Sequence, residues 1–104
     1  MNTQKNPIKK QLKKDYDELV LARKYCQKIM KTLDENCLAR VEIGILITDM
    51  PDFIFLKHQA DLIRGTLRKV CSTEISISQA HEIIQTIYLQ IVETIGIFNS
   101  RKFD

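Results

Sequence analysis

Apolar residues recur at helical spacing near the start of the chain. The first stripe repeats every seven residues and consists of Leu12, Leu19, Cys26 and Leu33. Because this repeat keeps apolar side chains on one face of a helix, the pattern predicts a long amphipathic helix from about Pro7 to Leu33. Proline suits the first turn of a helix, where its missing N–H would have no partner in any case.

The second segment, from about Asp34 to Thr48, is compatible with a helix or with a strand. Asp34 is a possible N-cap, and the expected inward residues of the helix are Cys37, Leu38, Val41 and Ile45. Residues 41–45 also alternate and are rich in β-branched side chains, which is typical of a strand. A single strand finds no partner elsewhere in the sequence, so we predict a helix. Gly44 weakens it by about 1 kcal/mol relative to alanine.

A third helix is predicted beyond a break at Pro51. The residue before a proline disfavours helical geometry, so we place this helix from about Asp52 to Cys71. Its apolar positions step by three and four, and they are Phe53, Leu56, Ala60, Ile63, Leu67 and Val70.

The fourth helix has two candidate N-caps. Ser76 would form a capping box with Gln79, whereas Ser78 lies closer to the periodic run. The inward stripe is Ala80, Ile84, Ile87, Ile91, Ile95 and Phe98, widened by Ile83, Tyr88 and Val92. We interpret the isolated Gly96 as a C-terminal break of this helix.

Four amphipathic helices with short connections predict an all-α protein, an antiparallel four-helix up-down bundle in one domain over residues 1–104. The 3 Gly and 2 Pro are few for the tight turns that a sheet protein of this length would need. We expect residues 1–6 and 99–104 to be flexible, and the protein to be a monomer.

Cysteine content and hydropathy bear on the cellular location. The three cysteines are an odd number without a C-x-x-C motif, which favours a reducing compartment over a disulfide framework. The most apolar stretch, residues 43–56, is broken by Asp49, Pro51 and Asp52, and no signal peptide is recognisable. We expect a cytoplasmic protein that is able to touch a membrane surface.

The positive charge is concentrated at the N-terminus. Five lysines precede the first acidic residue, Asp15, and they are Lys5, Lys9, Lys10, Lys13 and Lys14. Of 16 basic residues, 11 therefore remain against 13 acidic ones. Lys9, Lys10, Lys13 and Lys14 are candidates for contact with anionic lipid or phosphate. The alternative is a solvated start of a helix that keeps the protein in solution.

The sequence offers little for catalysis. His58 and Asp61 are three residues apart on a predicted polar face, where they could form a general base and its orienting carboxylate. An ordinary exposed pair is the favoured interpretation, because no nucleophile or metal partner accompanies them. No metal-ligand spacing or phosphate-binding loop occurs, so we expect no enzyme activity, no metal and no cofactor. The acidic residues before the third helix disfavour nucleic-acid binding.

The C-terminal segment combines aromatic and cationic residues, the types that dominate binding hot spots. The candidate partner-binding residues are Gly96, Ile97, Phe98, Asn99, Arg101, Lys102 and Phe103. The alternative is that Phe98 completes the core and the residues after it fray.

Four stretches also carry a resemblance to a known family. They are Ala60-Asp61-Leu62-Ile63-Arg64 through Arg68-Lys69, then Ile75-Ser76-Ile77-Ser78-Gln79, then residues 83–95, and finally Gly96-Ile97 with Arg101-Lys102-Phe103. From Pro51 to about Lys102, the chain resembles the immunity proteins for pediocin-like (class IIa) bacteriocins, of the enterocin A immunity type. The resemblance implies a cytosolic protein that protects a bacteriocin producer. Its partner would be a mannose phosphotransferase permease with bound bacteriocin, met at the inner membrane face. Specificity would lie in residues 83–103.

Overall fold

The structure, a computed structural model, describes residues 7–35 and 40–101, and within these ranges it contains four α-helices and no strand. Helix α1 spans Pro7–Asp34, α2 spans Arg40–Thr48, α3 spans Lys57–Cys71 and α4 spans Ile77–Arg101. The all-α prediction is confirmed, and residues 41–45 are helical rather than extended. No helix in the described ranges is long and apolar enough to cross a bilayer.

The predicted stripe of α1 lines the core over most of its length. Leu19, Cys26 and Leu33 are buried, and Ala22 and Ile29 lie beside them. Leu12 departs from the prediction, because 36% of its surface remains exposed. The core is completed by the predicted stripe of α4, which is buried from Ala80 to Ile95.

Helices α1 and α4 make the most extensive contact between helices in the described ranges. Three pairs mark it along its length: Asp34 with His81, Gln27 with Tyr88, and Tyr16 with Phe98. The residue number falls along α1 as it rises along α4, so the two helices run in opposite directions. Within each pair the two numbers add up to 114 or 115, which defines the register of the contact.

The predicted inward face of α2 is wrong. Val41 and Ile45 are 73% and 52% exposed, whereas Ile43 and Leu46 are buried. Both faces of this helix are apolar, so the pattern alone does not specify which one packs inward. A contact from α1 selects it: the buried Tyr25 hydroxyl donates a hydrogen bond to the Leu46 carbonyl.

The predicted start of α2 is also wrong, since Asp34 is the last residue of α1 and α2 begins at Arg40. Instead of capping α2, the Asp34 carboxylate lies 3.1 Å from Nε2 of His81 at the start of α4. Cys37 and Leu38, which we expected to face inward, lie outside the described residues.

Helix α3 begins at Lys57, five residues later than predicted. The preceding turn is held by a side chain of α1, because the Glu18 carboxylate accepts three backbone N–H groups. These belong to Ile54 at 2.8 Å, Phe55 at 3.2 Å and Leu56 at 3.0 Å. Glu18 thus holds the turn that leads into α3, whose own N-cap residue, Leu56, makes no side-chain cap bond.

The connection from α3 to α4 uses local backbone chemistry. Thr73 has a positive φ of 63°, the conformation that ends many helices. Its N–H donates to the Val70 carbonyl at 3.0 Å, and the N–H of Glu74 donates to the Lys69 carbonyl at 2.8 Å. This pair of bonds is a Schellman motif, in which glycine is the usual residue at the position of Thr73.

Helix α4 begins with the capping box that Ser76 and Gln79 predict. The N–H of Gln79 donates to the Ser76 hydroxyl at 3.0 Å, and the N–H of Ser76 donates to Oε1 of Gln79 at 2.9 Å. These reciprocal bonds satisfy two donors that a helix start otherwise leaves unpaired. Ser76, rather than Ser78, is therefore the cap.

Candidate interaction site

Helix α4 continues through Gly96 to Arg101, so the predicted break at Gly96 is wrong, and residues 99–101 belong to the helix. No glycine in the described ranges has the positive φ that marks a helix end. Gly96 is exposed, and a methyl group added there would meet nothing within 4 Å. The C-terminal candidates up to Arg101 are consequently arranged by helical geometry. Lys102 and Phe103 lie outside the described residues.

Helical geometry separates these candidates into two sides. Phe98 is partly buried and packs against the core, as its place in the inward stripe predicts. Its ring stacks on Tyr16 with 6.3 Å between centroids, and it meets the edge of Phe55 at 6.4 Å. Phe98 therefore joins α4 to α1 and to the turn before α3, and its role is packing.

Gly96, Ile97 and Asn99 lie on the exposed side of α4. Ile97 is 48% exposed, and two aliphatic side chains five and eight residues earlier, Val92 and Leu89, are 37% and 56% exposed. We call Leu89, Val92, Gly96 and Ile97 the outer face of α4. Sequence reasoning missed Leu89 and assigned Val92 to the core. The missed signal was the spacing of Leu89, Val92 and Gly96, which places them together on a side away from the buried stripe.

The four candidate lysines, Lys9, Lys10, Lys13 and Lys14, all lie exposed on the first turns of α1. Lys13 lies 3.4 Å from an Asp17 oxygen, and both side chains are mostly exposed. Such an exposed pair contributes little to stability. The register of α1 against α4 places these lysines at the end of the molecule where α4 terminates.

The structure does not bring His58 and Asp61 together. His58 is exposed, and the Asp61 carboxylate instead lies 3.4 Å from Nη1 of Arg64. Within the described residues, no group of three or more His, Cys, Asp or Glu side chains is arranged to hold a metal ion.

Two buried polar groups are positioned for structure. Burial raises the pKa of Tyr25, the charge of Asp49 raises it further, and Arg64 partly offsets both effects. The Tyr25 hydroxyl donates its hydrogen bond to the Leu46 carbonyl. Burial also raises the pKa of the Cys26 thiol to about 11. A reactive cysteine needs a lowered pKa and access to solvent, so Cys26 acts as a small core side chain.

A cleft of about 560 Å³ opens between the start of α2 and the α3–α4 connection. Aliphatic side chains contribute much of its wall: Ile43, Val70, Ile75 and Ile77. The hydroxyl of Ser76, which also lines it, is already engaged in the capping box. The cleft is suited to an apolar group rather than to chemistry at a nucleophile.

Comparison with known proteins gives no further assignment. No family model matches the chain. A search of curated proteins found no match, and a search of solved structures found none either. The resemblance to immunity proteins for pediocin-like bacteriocins therefore stays a prediction from the sequence.

Proposed function

We propose that this chain is a binding protein without catalytic activity, and that the outer face of α4 is its contact with a protein partner. The observation that carries the proposal is the exposure of Leu89, Val92 and Ile97 within nine residues of one helix. Apolar side chains clustered on a surface are typical of interaction sites, whereas single ones are common everywhere. The glycine between them would let a partner's backbone approach closely.

The specific form of this function follows from the resemblance. We propose a cytoplasmic immunity protein that meets the mannose phosphotransferase permease, with bound pediocin-like bacteriocin, at the inner membrane face. The outer face of α4 falls within residues 83–103, the stretch that the resemblance makes responsible for specificity. The opposite directions of α1 and α4 also support an antiparallel up-down bundle, the topology that we propose for all four helices.

Expression in a sensitive strain tests the proposal. Cells producing the chain should survive a panel of pediocin-like peptides at concentrations that kill the parent strain. Replacing Leu89 and Ile97 with serine should lower this protection at least tenfold, since interface hot spots each contribute about 2 kcal/mol or more. Leu62→Ser, which alters a 46% exposed side chain on α3, is the matched control and should retain protection. Unchanged killing of cells that contain the unaltered, folded chain would remove the immunity hypothesis.

A second candidate function is a helical adaptor or antitoxin-type protein that pairs with another chain. It is favoured by α2, whose outward Val41 and Ile45 leave an apolar face uncovered in the isolated chain. Light scattering after size exclusion distinguishes the two functions. The immunity hypothesis expects a monomer, whereas an obligate dimer that Val41→Ser disrupts would favour the adaptor.

A further inference from the structure

We propose that the first two turns of α1, together with the turn at Ile54 and Phe55, form a docking surface for an anionic lipid bilayer. This docking end comprises Ile8, Leu12, Ile54 and Phe55 and the four lysines Lys9, Lys10, Lys13 and Lys14. The inference adds a lipid contact to the proposed function. It is carried by these residues alone, so vesicles of pure lipid test it without a permease.

The first observation is that α1 extends beyond the last described residue of α4. The register of the contact places Lys14 opposite Arg101, the last described residue of α4. The turns of α1 before Lys14 therefore continue past this point. Leu12 belongs to the stripe that is buried from Leu19 onward, yet it is 36% exposed. Ile8, one turn before Leu12 on the same side of the helix, is 76% exposed. The core face of α1 is thus uncovered at this end.

The second observation is the distribution of charge around these turns. Successive helical residues are rotated by about 100°, which places Ile8 and Leu12 on one side and the four lysines on the others. No acidic residue occurs from Ile8 to Lys14. A helix with an apolar side and a basic remainder is the type that lies in the headgroup region of a membrane.

The third observation is a second apolar element at the same end. Ile54 is 85% exposed and Phe55 is 45% exposed. The turn that carries them is fixed by the Glu18 carboxylate and by the contact of Phe55 with Phe98. Glu18 lies ten residues from Ile8, which is about 15 Å along a helix. Both apolar elements thus occupy one end of a molecule 57 Å long.

Lipid fits this combination better than a polyanion does. A nucleic acid would engage the lysines through phosphates, but it offers no apolar layer for Ile8, Leu12 and Ile54. An anionic bilayer presents phosphates directly above acyl chains, and so satisfies both kinds of side chain at once.

Co-sedimentation of the full-length chain with lipid vesicles tests the inference. Binding to vesicles that contain phosphatidylglycerol should exceed binding to pure phosphatidylcholine at least tenfold, and high salt should weaken it. Replacing the four lysines with glutamine should lower binding roughly 100-fold or more, at about fivefold for each lysine. The matched control replaces four exposed lysines elsewhere, namely Lys24, Lys28, Lys31 and Lys69, and should change binding much less.

The apolar part is tested by Ile8→Ser combined with Ile54→Ser, which should lower vesicle binding about tenfold. Val41→Ser with Ile45→Ser is the control for exposed aliphatic residues on α2. Circular dichroism establishes that each variant is folded. Equal binding to neutral vesicles, or equal losses in test and control variants, would overturn the inference. A third result would also overturn it. If the lysine variant lost binding to both duplex DNA and vesicles while the Ile8 and Ile54 variant retained binding to both, the site would bind any polyanion.

Discussion

Glu18 provides the sharpest test of how this fold is held together. Its carboxylate accepts backbone N–H groups of Ile54, Phe55 and Leu56, which are 36 to 38 residues away in the chain. No side chain of the turn itself caps α3. Replacing Glu18 with alanine should therefore release the turn and leave these three N–H groups without their acceptor.

The expected magnitude follows from the exposure of the three bonds. The hydrogen bonds to the N–H groups of Ile54 and Phe55 are exposed, so water can replace the lost acceptor there. The bond to the N–H of Leu56 is partly buried, so its loss is less well compensated. A hydrogen bond to a charged group contributes about 1.5–3 kcal/mol. We expect Glu18→Ala to lower the free energy of unfolding by about 2 kcal/mol. Glu18→Gln should lose about half as much, because an amide keeps one acceptor oxygen.

Urea unfolding followed by circular dichroism measures this free energy, and amide hydrogen exchange locates it. Exchange should accelerate at Ile54, Phe55 and Leu56 more than within α3. Asp17→Ala is the matched control, because Asp17 is the neighbouring carboxylate and makes only an exposed pair with Lys13. It should change stability by less than about 0.5 kcal/mol.

Two results would refute this account of Glu18. One is equal destabilisation by the alanine variants of Glu18 and Asp17. The other is a loss of stability in Glu18→Ala without faster exchange in residues 54–56, which would place the effect elsewhere in α1.

Four further predictions concern single side chains. Tyr25→Phe should lower the free energy of unfolding by about 1–3 kcal/mol in urea unfolding, because the Leu46 carbonyl at the end of α2 loses its buried donor. Thr73→Gly should raise it by about 0.5–1 kcal/mol, since glycine adopts the φ of 63° without a clash at Cβ; Thr73→Ala should gain less. Burial raises the pKa of Cys26 from about 9 to about 11, so the folded thiol keeps its proton while the unfolded one ionises. The contribution of the protonated Cys26 thiol to stability is therefore fully present below pH 9 and is lost as the pH rises to about 11. The free energy of unfolding should fall over this range, and it should fall more in the native protein than in Cys26→Ala. Gly96→Ala should raise the free energy of unfolding by up to about 1 kcal/mol, because alanine is the better helix former and its methyl meets open space. If this more stable variant protects cells less well, the loss would support close approach of a partner at the outer face of α4.

The long periodic segments were predictable because one face of each is apolar and the other polar. The stripes of α1 and α4 are buried as expected from Leu19 to Leu33 and from Ala80 to Ile95, and the capping box at Ser76 has a purely local signature. Helix α2 was not predictable in the same way, since its pairs Val41–Ile45 and Ile43–Leu46 are equally apolar. Its orientation depends on Tyr25, 21 residues away from Leu46.

The candidate interaction site was predictable in composition but not in geometry. The aromatic and cationic residues of the C-terminal segment suggested a loose tail, and Gly96 suggested its start. A glycine that ends a helix typically has a positive φ, and Gly96 does not. Because the helix continues, Phe98 packs against the core whereas Ile97 is exposed. The composition of the C-terminal segment does not show which of its residues face which way.

The two long-range contacts that sequence reasoning missed share one origin. Glu18 and Tyr25 are seven residues apart, which places them two turns apart on one side of α1. Tyr25 holds the end of α2 through Leu46, and Glu18 holds the turn before α3 through Leu56. The α2–α3 connection is therefore attached to α1 at both of its ends, although the sequence shows only a proline break there. Because this attachment also fixes the exposed Ile54 and Phe55 in the half of the molecule where α1 begins, Glu18 contributes both to the stability of the fold and to the assembly of the docking end.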